Sequence, residues 1–199
     1  MVRLLSPYAP GEIRAASADA RLVEAACRGD QTAFGQLYEQ YAGVVHGLLL
    51  AKVPREEADD LVQEVFLIAM RRIAALRDPN RFGAWLSAIA RNLANDHYRR
   101  LRPTDSLMED PPETAGQTAA TRHLETGAAI LDVIRSLPDA YSETLILRLV
   151  EGMTGPEIAV RTGLTHGSVR VNLCRGMRML RERLDAASAN RSERKATEP

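Results

Sequence analysis

Residues 102–121 form the segment that most restricts how this chain folds. Their sequence, RPTDSLMEDPPETAGQTAAT, holds three prolines and many small polar residues and lacks apolar periodicity. Proline interrupts helices, and a segment with so few large apolar residues cannot bury a core. The 199-residue chain is therefore predicted to form two small domains joined by a flexible linker. Fully extended, about twenty residues span roughly 65 Å, which allows two domains to bind well-separated sites.

Both sides of this linker show helical patterns. Apolar residues make up 45% of the chain, aromatic residues only 5%, and alanine, leucine and arginine are abundant, so the predicted fold class is all-α. Glycine, proline and aspartate at 29–30, 54 and 78–80 divide the N-terminal part into a four-helix bundle that begins near Asp19. After the linker, helices are predicted over 124–137 and 139–151, followed by a short helix, a turn and a longer helix that ends near Ala187. The charged residues 190–199 are predicted to be a mobile tail.

Composition excludes several classes of protein. Cys27 and Cys174 lie far apart, outside any CxxC pattern, and the four histidines are scattered, so neither a disulfide framework, a metal site nor a cofactor is predicted. The acids of residues 56–64 lack a nucleophile or a phosphate-binding loop beside them, so no catalytic residue or small-molecule substrate is predicted. The longest apolar stretch, 43–53, is too short to span a membrane, and no signal peptide is evident. A cytoplasmic location is expected.

The segment after residue 153 has the pattern of a helix-turn-helix. Thr154 and Glu157 have capping-box spacing, with Pro156 in the first turn. Gly163 lies where a tight turn needs a positive φ, and Thr165 can cap the second helix. On that helix, apolar or small residues recur at three- and four-residue steps, which predicts a buried stripe of Val169, Leu173, Gly176 and Leu180.

The opposite face of this second helix carries Ser168, Arg170, Val171, Asn172, Arg175 and Arg178. Arginine can bind guanine through two hydrogen bonds, asparagine can bind adenine in the same way, and both can hold phosphates. These residues favour a helix that enters the major groove of DNA over a solvated basic helix.

The last helix before the linker, RFGAWLSAIARNLANDHYRRLR, places Phe82, Trp85, Asn92, His97 and Tyr98 among several arginines. Single-stranded nucleic acid needs this combination, because bases stack on rings while arginines follow the phosphates. Phe82 and Trp85 equally fit a helix core at this spacing, and both interpretations stay open.

A third feature is DDLVQEVFLIAMRRI at residues 59–73. On a helix, Asp60, Gln63, Glu64, Leu67 and Arg71 share one face, and Val62, Val65, Phe66, Ala69 and Ile73 share the opposite, core-facing side. Leu67 in the middle of the polar face, together with the acids and an amide, is typical of a surface that docks on a basic protein partner. A simply solvated face is the alternative.

Taken together, these motifs resemble bacterial sigma factors of the sigma-seventy superfamily, in particular the small extracytoplasmic-function group. The matching stretches are GDQTAFGQLYEQY, DDLVQEVFLIAMRRI, FGAWLSAIARNLANDHYRR and EIAVRTGLTHGSVRVNLCRGMRML, in the family's order. The resemblance covers Asp19 to about Leu184, apart from the linker. It implies an N-terminal extension over 1–18, region two over 19–102, a linker over 103–123, region four over 124–187 and a tail over 188–199.

The resemblance also implies partners and residues. Region two would dock on the clamp helices of the largest subunit of core RNA polymerase and open the minus-ten promoter element, region four would bind the minus-thirty-five element, and an anti-sigma factor is expected as a further partner. The implied polymerase-binding residues are Asp60, Gln63, Glu64 and Leu67. The implied minus-ten residues are Asn80, Arg81, Phe82, Trp85, Arg91, Asn92, Asp96, Tyr98 and Arg99. The implied minus-thirty-five residues are Thr165, Ser168, Arg170, Val171, Asn172 and Arg175.

Three residues of the second helix depart from the family pattern. Val171 and Asn172 stand where many relatives carry Arg or Ser, and Cys174 stands where an aromatic residue is frequent, so the minus-thirty-five sequence cannot be transferred from relatives. Two other functions remain open on the sequence alone. One is a conventional helix-turn-helix regulator whose bundle dimerises or binds a ligand, and the other is a helical adaptor that does not bind DNA.

Overall fold

A computed structural model describes residues 10–101 and 127–197, with side chains for residues 19–100 and 127–188. Every regular element within these ranges is helical. The α-helices are α1 (Pro10–Cys27), α2 (Gln31–Leu50), α3 (Arg55–Arg72), α4 (Phe82–Leu101), α5 (Gly127–Arg135), α6 (Asp139–Leu149), α7 (Gly155–Thr162) and α8 (His166–Thr197). Two short 3₁₀ segments, Ile73–Ala75 and Pro79–Arg81, connect α3 to α4. No helix in these two ranges has both the length and the apolar character needed to cross a membrane.

The helix boundaries follow from local chemistry. Gly29 adopts a φ of 93°, which ends the turn after α1, and the Asp30 carboxylate then accepts hydrogen bonds from the first amides of α2. Pro54 precedes α3, whose first turn is acidic and whose last turn holds Arg71 and Arg72. This arrangement of charge complements the helix dipole and stabilises α3.

Two predicted boundaries were wrong. Helix α1 begins at Pro10 rather than Asp19, because proline suits the first position of a helix and an alanine-rich segment follows. Helix α8 continues to Thr197 instead of ending near Ala187, because no glycine or proline interrupts residues 177–197 and alanine, arginine and glutamate favour helix. The predicted linker over 103–123 lies outside the described residues.

The main difference from the sequence-based expectation is that the two halves share one hydrophobic core. Helix α2 lies at its centre and packs against α1, α3 and α4 on the N-terminal side and against α6 and α7 on the C-terminal side. A Cβ atom added to Gly47 would lie 2.7 Å from Leu147 Cδ2. Helix α6 therefore approaches α2 so closely at Gly47 that a larger residue there would require the Leu147 side chain to shift.

A second close approach joins α4 to the helix-turn-helix. A Cβ atom on Gly83 would lie 2.3 Å from the carbonyl oxygen of Arg161, and one on Gly163 would lie 2.5 Å from Ala84 Cβ. Gly163 also has a φ of 74°, which the turn between α7 and α8 requires. The same turn therefore shapes the helix-turn-helix and packs against the N-terminal half.

Arginines from the C-terminal half bind backbone carbonyls of α2 and the turn that follows it. Arg135 donates from Nε to the Leu50 carbonyl at 2.8 Å and from Nη2 to the Val53 carbonyl at 2.7 Å. Arg161 donates to the Gln40 carbonyl, and its guanidinium lies 5.1 Å from the centre of the Tyr41 ring. The Arg135 bonds satisfy carbonyls at and just after the end of α2, and Arg161 adds a cation–π contact at the boundary between the halves.

One titratable pair also crosses this boundary. His46 Nδ1 on α2 lies 2.7 Å from Glu151 Oε1, and His46 Nε2 lies 3.7 Å from Asp59. The hydrogen bond to Glu151 raises the pKa of His46, burial opposes that rise, and the charge of Asp59 adds to it while Arg55 opposes it. Protonated His46 is thus favoured when the two halves are in contact.

We expect the stability of the packed chain to fall as pH rises. Because the His46 pKa is raised, its contribution is fully present below about pH 6.5 and is lost as pH rises through the raised value. The thermal unfolding midpoint of the full chain should therefore decrease between about pH 6 and pH 8. Glu151→Gln should weaken this pH dependence, and an unchanged slope in that variant would contradict the role of the pair.

Candidate protein- and nucleic-acid-binding surfaces

The acidic face of α3 is exposed along its length. Asp60, Gln63, Glu64 and Leu67 all point to solvent, and 53% of Leu67 is accessible. The opposite face, with Val62, Val65, Phe66, Ala69 and the following Ile73, is buried in the core. The two-sided pattern predicted for this helix is therefore confirmed at the level of packing, and the four candidate partner-binding residues lie together on one surface.

Two further apolar side chains extend this surface and were missed by sequence reasoning. Met70 is 48% exposed one turn after Leu67, and Tyr38 of α2 is 40% exposed with its ring 4.6 Å from that of Phe66. The three-residue step from Leu67 to Met70 was the available signal in the sequence. Exposed apolar groups beside acids are typical of a surface that binds another protein.

A second group of candidate residues lies along α4 and on the turn before it. Asn80, Arg81, Asn92, Asp96, Tyr98 and Arg99 are exposed. Asp78 accepts a hydrogen bond from the Asn80 backbone amide at 3.0 Å, which orders the turn before α4. Arg99 lies 3.8 Å from Asp96. Amides, an aromatic ring and arginines thus lie along one accessible side of α4, as stacking on bases and binding of phosphates require.

Phe82 departs from its predicted role in DNA binding. It is 1% exposed and packs edge-on against Tyr41 at 5.1 Å between ring centres. It begins a buried row that continues with Leu86, Ala90 and Ala94, so its position on the helix directs it into the core. Trp85 is half-buried, with its ring 5.8 Å from that of Phe82. Phe82 is therefore a core residue, and the Trp85 side chain is partly buried in the same core.

Arg91 is also engaged within the chain. Its guanidinium forms a two-pronged ion pair with Glu143 of α6, with Nη2 to Oε2 at 2.9 Å. The Glu143 residue is only 7% exposed. In this arrangement Arg91 faces the C-terminal half instead of solvent, whereas its neighbour Asn92 remains exposed.

The helix-turn-helix has the predicted local structure. Thr154 and Glu157 form the complete capping box, with the Thr154 amide donating to Glu157 at 2.7 Å. This hydrogen bond lowers the pKa of Glu157, since it stabilises the carboxylate. Thr165 Oγ1 accepts from the Ser168 amide at 3.1 Å and so caps α8. Both helix starts are therefore specified by side chains that the sequence identifies.

The candidate reading face of α8 is largely accessible. Ser168, Arg170, Val171 and Arg175 are exposed, and Asn172 is half-buried at the boundary with the N-terminal half. Val169, Gly176 and Leu180 are buried, and Leu173 packs partly buried against the core. The Thr165 hydroxyl takes part in the helix cap and contacts the Ser168 hydroxyl at 2.8 Å. Arginine and valine side chains are thus free to approach a groove, while Thr165 has a structural role.

Cysteine and acidic side chains do not assemble a metal centre in the part of the chain that the structure describes. Cys27 donates a hydrogen bond to the Ile73 carbonyl at 3.3 Å, which is a packing role. Cys174 is exposed on α8.

Comparison with known proteins identifies related families and chains. Two family models match it: Sigma-70 region 2 over residues 37–104 and Sigma-70, region 4 over residues 127–180. The chain is 32% identical over 159 residues to the RNA polymerase sigma factor CarQ of Myxococcus xanthus, which covers 78% of this chain and 91% of CarQ. It is 33% identical over 183 residues to the RNA polymerase sigma-H factor of Pseudomonas aeruginosa, which covers 85% of this chain and 93% of that factor.

Two further similarities concern a longer relative and a solved structure. The chain is 37% identical over 167 residues to the ECF RNA polymerase sigma factor BldN of Streptomyces coelicolor, which covers 80% of this chain but only 63% of BldN. The chain thus spans less than two thirds of the length of that relative. The structure of CnrH in complex with the cytosolic domain of CnrY matches with a TM-score of 0.58 and 30% identity, over 85% of this chain and 98% of that chain.

The two faces of α3 generate a direct prediction for stability. Phe66→Ala should lower the free energy of unfolding by about 3 to 5 kcal/mol, because it removes a buried ring and leaves a cavity. Leu67→Ala should change it by no more than about 0.5 kcal/mol, because that side chain is exposed. Urea denaturation of the two variants measures the difference. Equal destabilisation by both would contradict the assignment of Leu67 to a binding surface.

Proposed function

Because the chain belongs to the extracytoplasmic-function group of the sigma-70 family, we propose that it binds core RNA polymerase, recognises minus-ten and minus-thirty-five promoter elements and initiates transcription of a specific set of genes. Proteins of this family are transcription initiation factors and not enzymes. The observation that carries the proposal is that α3 has an exposed acidic face and α8 an exposed basic face, and that each helix lies within the range of the corresponding sigma-70 region.

The polymerase contact is assigned to α3. Asp60, Gln63, Glu64 and Leu67 would meet the clamp helices of the largest polymerase subunit, with Tyr38 and Met70 as apolar contacts at the edge. Acidic residues speed encounter with a basic partner, and the desolvated apolar groups supply affinity. The burial of the opposite side of α3 supports this role, because it fixes which side chains the helix presents to a partner.

The minus-ten element is assigned to the exposed side of α4 and the preceding turn. Asn80, Arg81, Asn92, Tyr98 and Arg99 would bind the opened strand, and Asn92 would receive a base that leaves the stack. Extruding a base costs a few kcal/mol of pairing and stacking, so the surface must return this energy through stacking and hydrogen bonds. Buried Phe82 would support this surface from beneath instead of touching the strand.

The minus-thirty-five element is assigned to α8 as a duplex in the major groove. Arg170 and Arg175 would contact guanine edges or phosphates, Ser168 would contact a phosphate, and Val171 would face the bases. Asn172 is half-buried in the packed form, so its full use would require the halves to separate.

An anti-sigma factor is proposed as a regulatory partner, and the cytoplasm as the place of action. Support for the partner comes from the similarity to CnrH, a chain solved in complex with the cytosolic domain of CnrY. The location follows from the proposed partner, since bacterial core polymerase and promoter DNA share that compartment.

The docking face can be tested by charge reversal. Asp60→Lys or Glu64→Lys should abolish detectable binding to purified core polymerase, since like charges brought together at an interface cost several kcal/mol and each 1.4 kcal/mol is about tenfold in affinity. Circular dichroism should show an unchanged fold, because both side chains are exposed.

The matched control is Asp185→Lys, which reverses an exposed acid on α8, away from α3. This variant should bind core polymerase like the wild type. If all three variants bind equally well, the polymerase contact does not lie on α3.

The reading helix can be tested separately. Arg170→Ala should weaken binding of the polymerase complex to a duplex selected from a random library by about 1 to 3 kcal/mol, with core affinity unchanged. Arg181→Ala, an exposed arginine further along α8, is the control and should have little effect. Loss of core affinity in Arg170→Ala would show that the two surfaces are wrongly assigned.

A further inference from the structure

Val171 is an exposed apolar residue on the accessible face of α8. It lies in the second turn of the helix, and 43% of its surface is accessible. The buried stripe of α8 runs through Val169, Gly176 and Leu180 instead. Packing among the described residues therefore does not explain a valine at position 171. One exposed valine is ordinary on a protein surface, so its surroundings decide what it can bind.

Basic side chains lie on both sides of Val171. Arg170 precedes it directly, and Arg175 follows it by four residues, which is about one helical turn. Both arginines are exposed. The proposed function gives them to guanine edges or phosphates of the minus-thirty-five duplex, and the present inference rests on that assignment. Val171 would then lie against the bases between them, because residues near the start of a reading helix contact base edges.

The residues one turn before Val171 are small and exposed. They are Gly167 and Ser168. Within the described part of the chain, a Cβ atom added to Gly167 would have Thr165 Oγ1 as its nearest neighbour, at 3.9 Å, so packing does not require a glycine there. Glycine also weakens a helix relative to alanine. Small residues at this point let the helix backbone come close to a ligand, which a side chain as short as valine needs in order to touch a base.

The apolar surface of valine discriminates among the groups that bases present in the major groove. Guanine, adenine and cytosine present hydrogen-bond donors or acceptors there, and thymine adds a methyl group at C5. A polar base atom pressed against valine would lose water without gaining a partner, which costs free energy. A methyl group in the same place removes apolar surface from water on both sides. A valine at this position therefore favours a pyrimidine that carries a 5-methyl group.

We propose that Val171 selects a 5-methylpyrimidine in the minus-thirty-five element. Thymine supplies the methyl group in unmodified DNA. In 5-methylcytosine the same group lies at the same place in the groove, so methylation of a cytosine at this position increases binding. The two bases share one recognised chemistry, and two arms of one experiment separate them.

The thymine arm uses the complex of the chain with core polymerase and a duplex that this complex selects from a random library. Each thymine of the duplex is replaced in turn by deoxyuridine, which lacks only the methyl group. One replacement should weaken binding by the wild-type complex about fourfold, as expected for one methyl-sized apolar group removed from a contact. In Val171→Ser the same replacement should have little effect, because the methyl groups of the valine are gone.

The matched control is Val150→Ser. Val150 is 44% exposed, close to the 43% of Val171, but it lies at the end of α6 and not on α8. Val150→Ser should lose as much affinity on deoxyuridine replacement as the wild type does. Circular dichroism should show an unchanged fold in both variants, because both valines are exposed.

The cytosine arm places a C·G pair at the sensitive position, with or without a 5-methyl group on the cytosine. The methylated duplex should bind the wild-type complex about fourfold more tightly than the unmethylated duplex. Val171→Ser should bind the two duplexes equally, and Val150→Ser should keep the preference of the wild type.

Three outcomes would overturn the proposal. Indifference of the wild-type complex to every deoxyuridine replacement would show that no methyl group is recognised. Equal sensitivity of the wild type and Val171→Ser would show that another residue or the shape of the duplex is responsible. A thymine effect without a cytosine effect would show that the 5-methyl group is not the shared determinant. Failure of the wild-type complex to select any duplex would instead overturn the proposed function, and this inference with it.

Discussion

The burial of α2 is the constraint on which the rest of the structure depends. Apart from His46, its C-terminal half is apolar, and Leu48, Leu49 and Leu50 are each at most 1% exposed. The apolar surface of such a helix must be buried on all sides. One layer of neighbouring helices buries only one side of it. The N-terminal helices cover one side and α6 covers another, with Gly47 allowing the close approach. The hydrophobic effect therefore brings together two halves that the sequence separates with a proline-rich segment.

This central packing leaves the candidate binding surfaces accessible to different degrees. The acidic face of α3 and the arginine face of α8 both point away from α2 and are exposed. The side of α4 that carries Arg91 lies at the boundary, where Glu143 binds it. The same burial that stabilises the chain thus decides which surface can meet a partner first. The acidic face of α3 is fully accessible, and α4 is accessible only on the side away from Glu143.

Much of the fold could be predicted from the sequence because the responsible interactions are local. The capping box of Thr154 and Glu157, the positive φ of Gly163 and the two faces of α3 depend on residues within a few positions of one another. Long-range packing left weaker signals. The close approach of α6 to α2 at Gly47 joins residues far apart in the chain, so no local pattern predicted it. Likewise, Phe82 matched both a nucleic-acid contact and a core residue, and only its packing against Tyr41 decides between them.

The residues of α3 and α8 that we propose to bind partners lie on separate surfaces and differ in charge, so the proposed function requires both surfaces to act in one reaction. Reconstituted transcription with purified core polymerase and a candidate promoter tests this most directly. The account predicts promoter-specific initiation only when the chain is added. DNA binding by the chain alone, with no association with core polymerase and no initiation, would contradict it and would instead identify a conventional helix-turn-helix regulator.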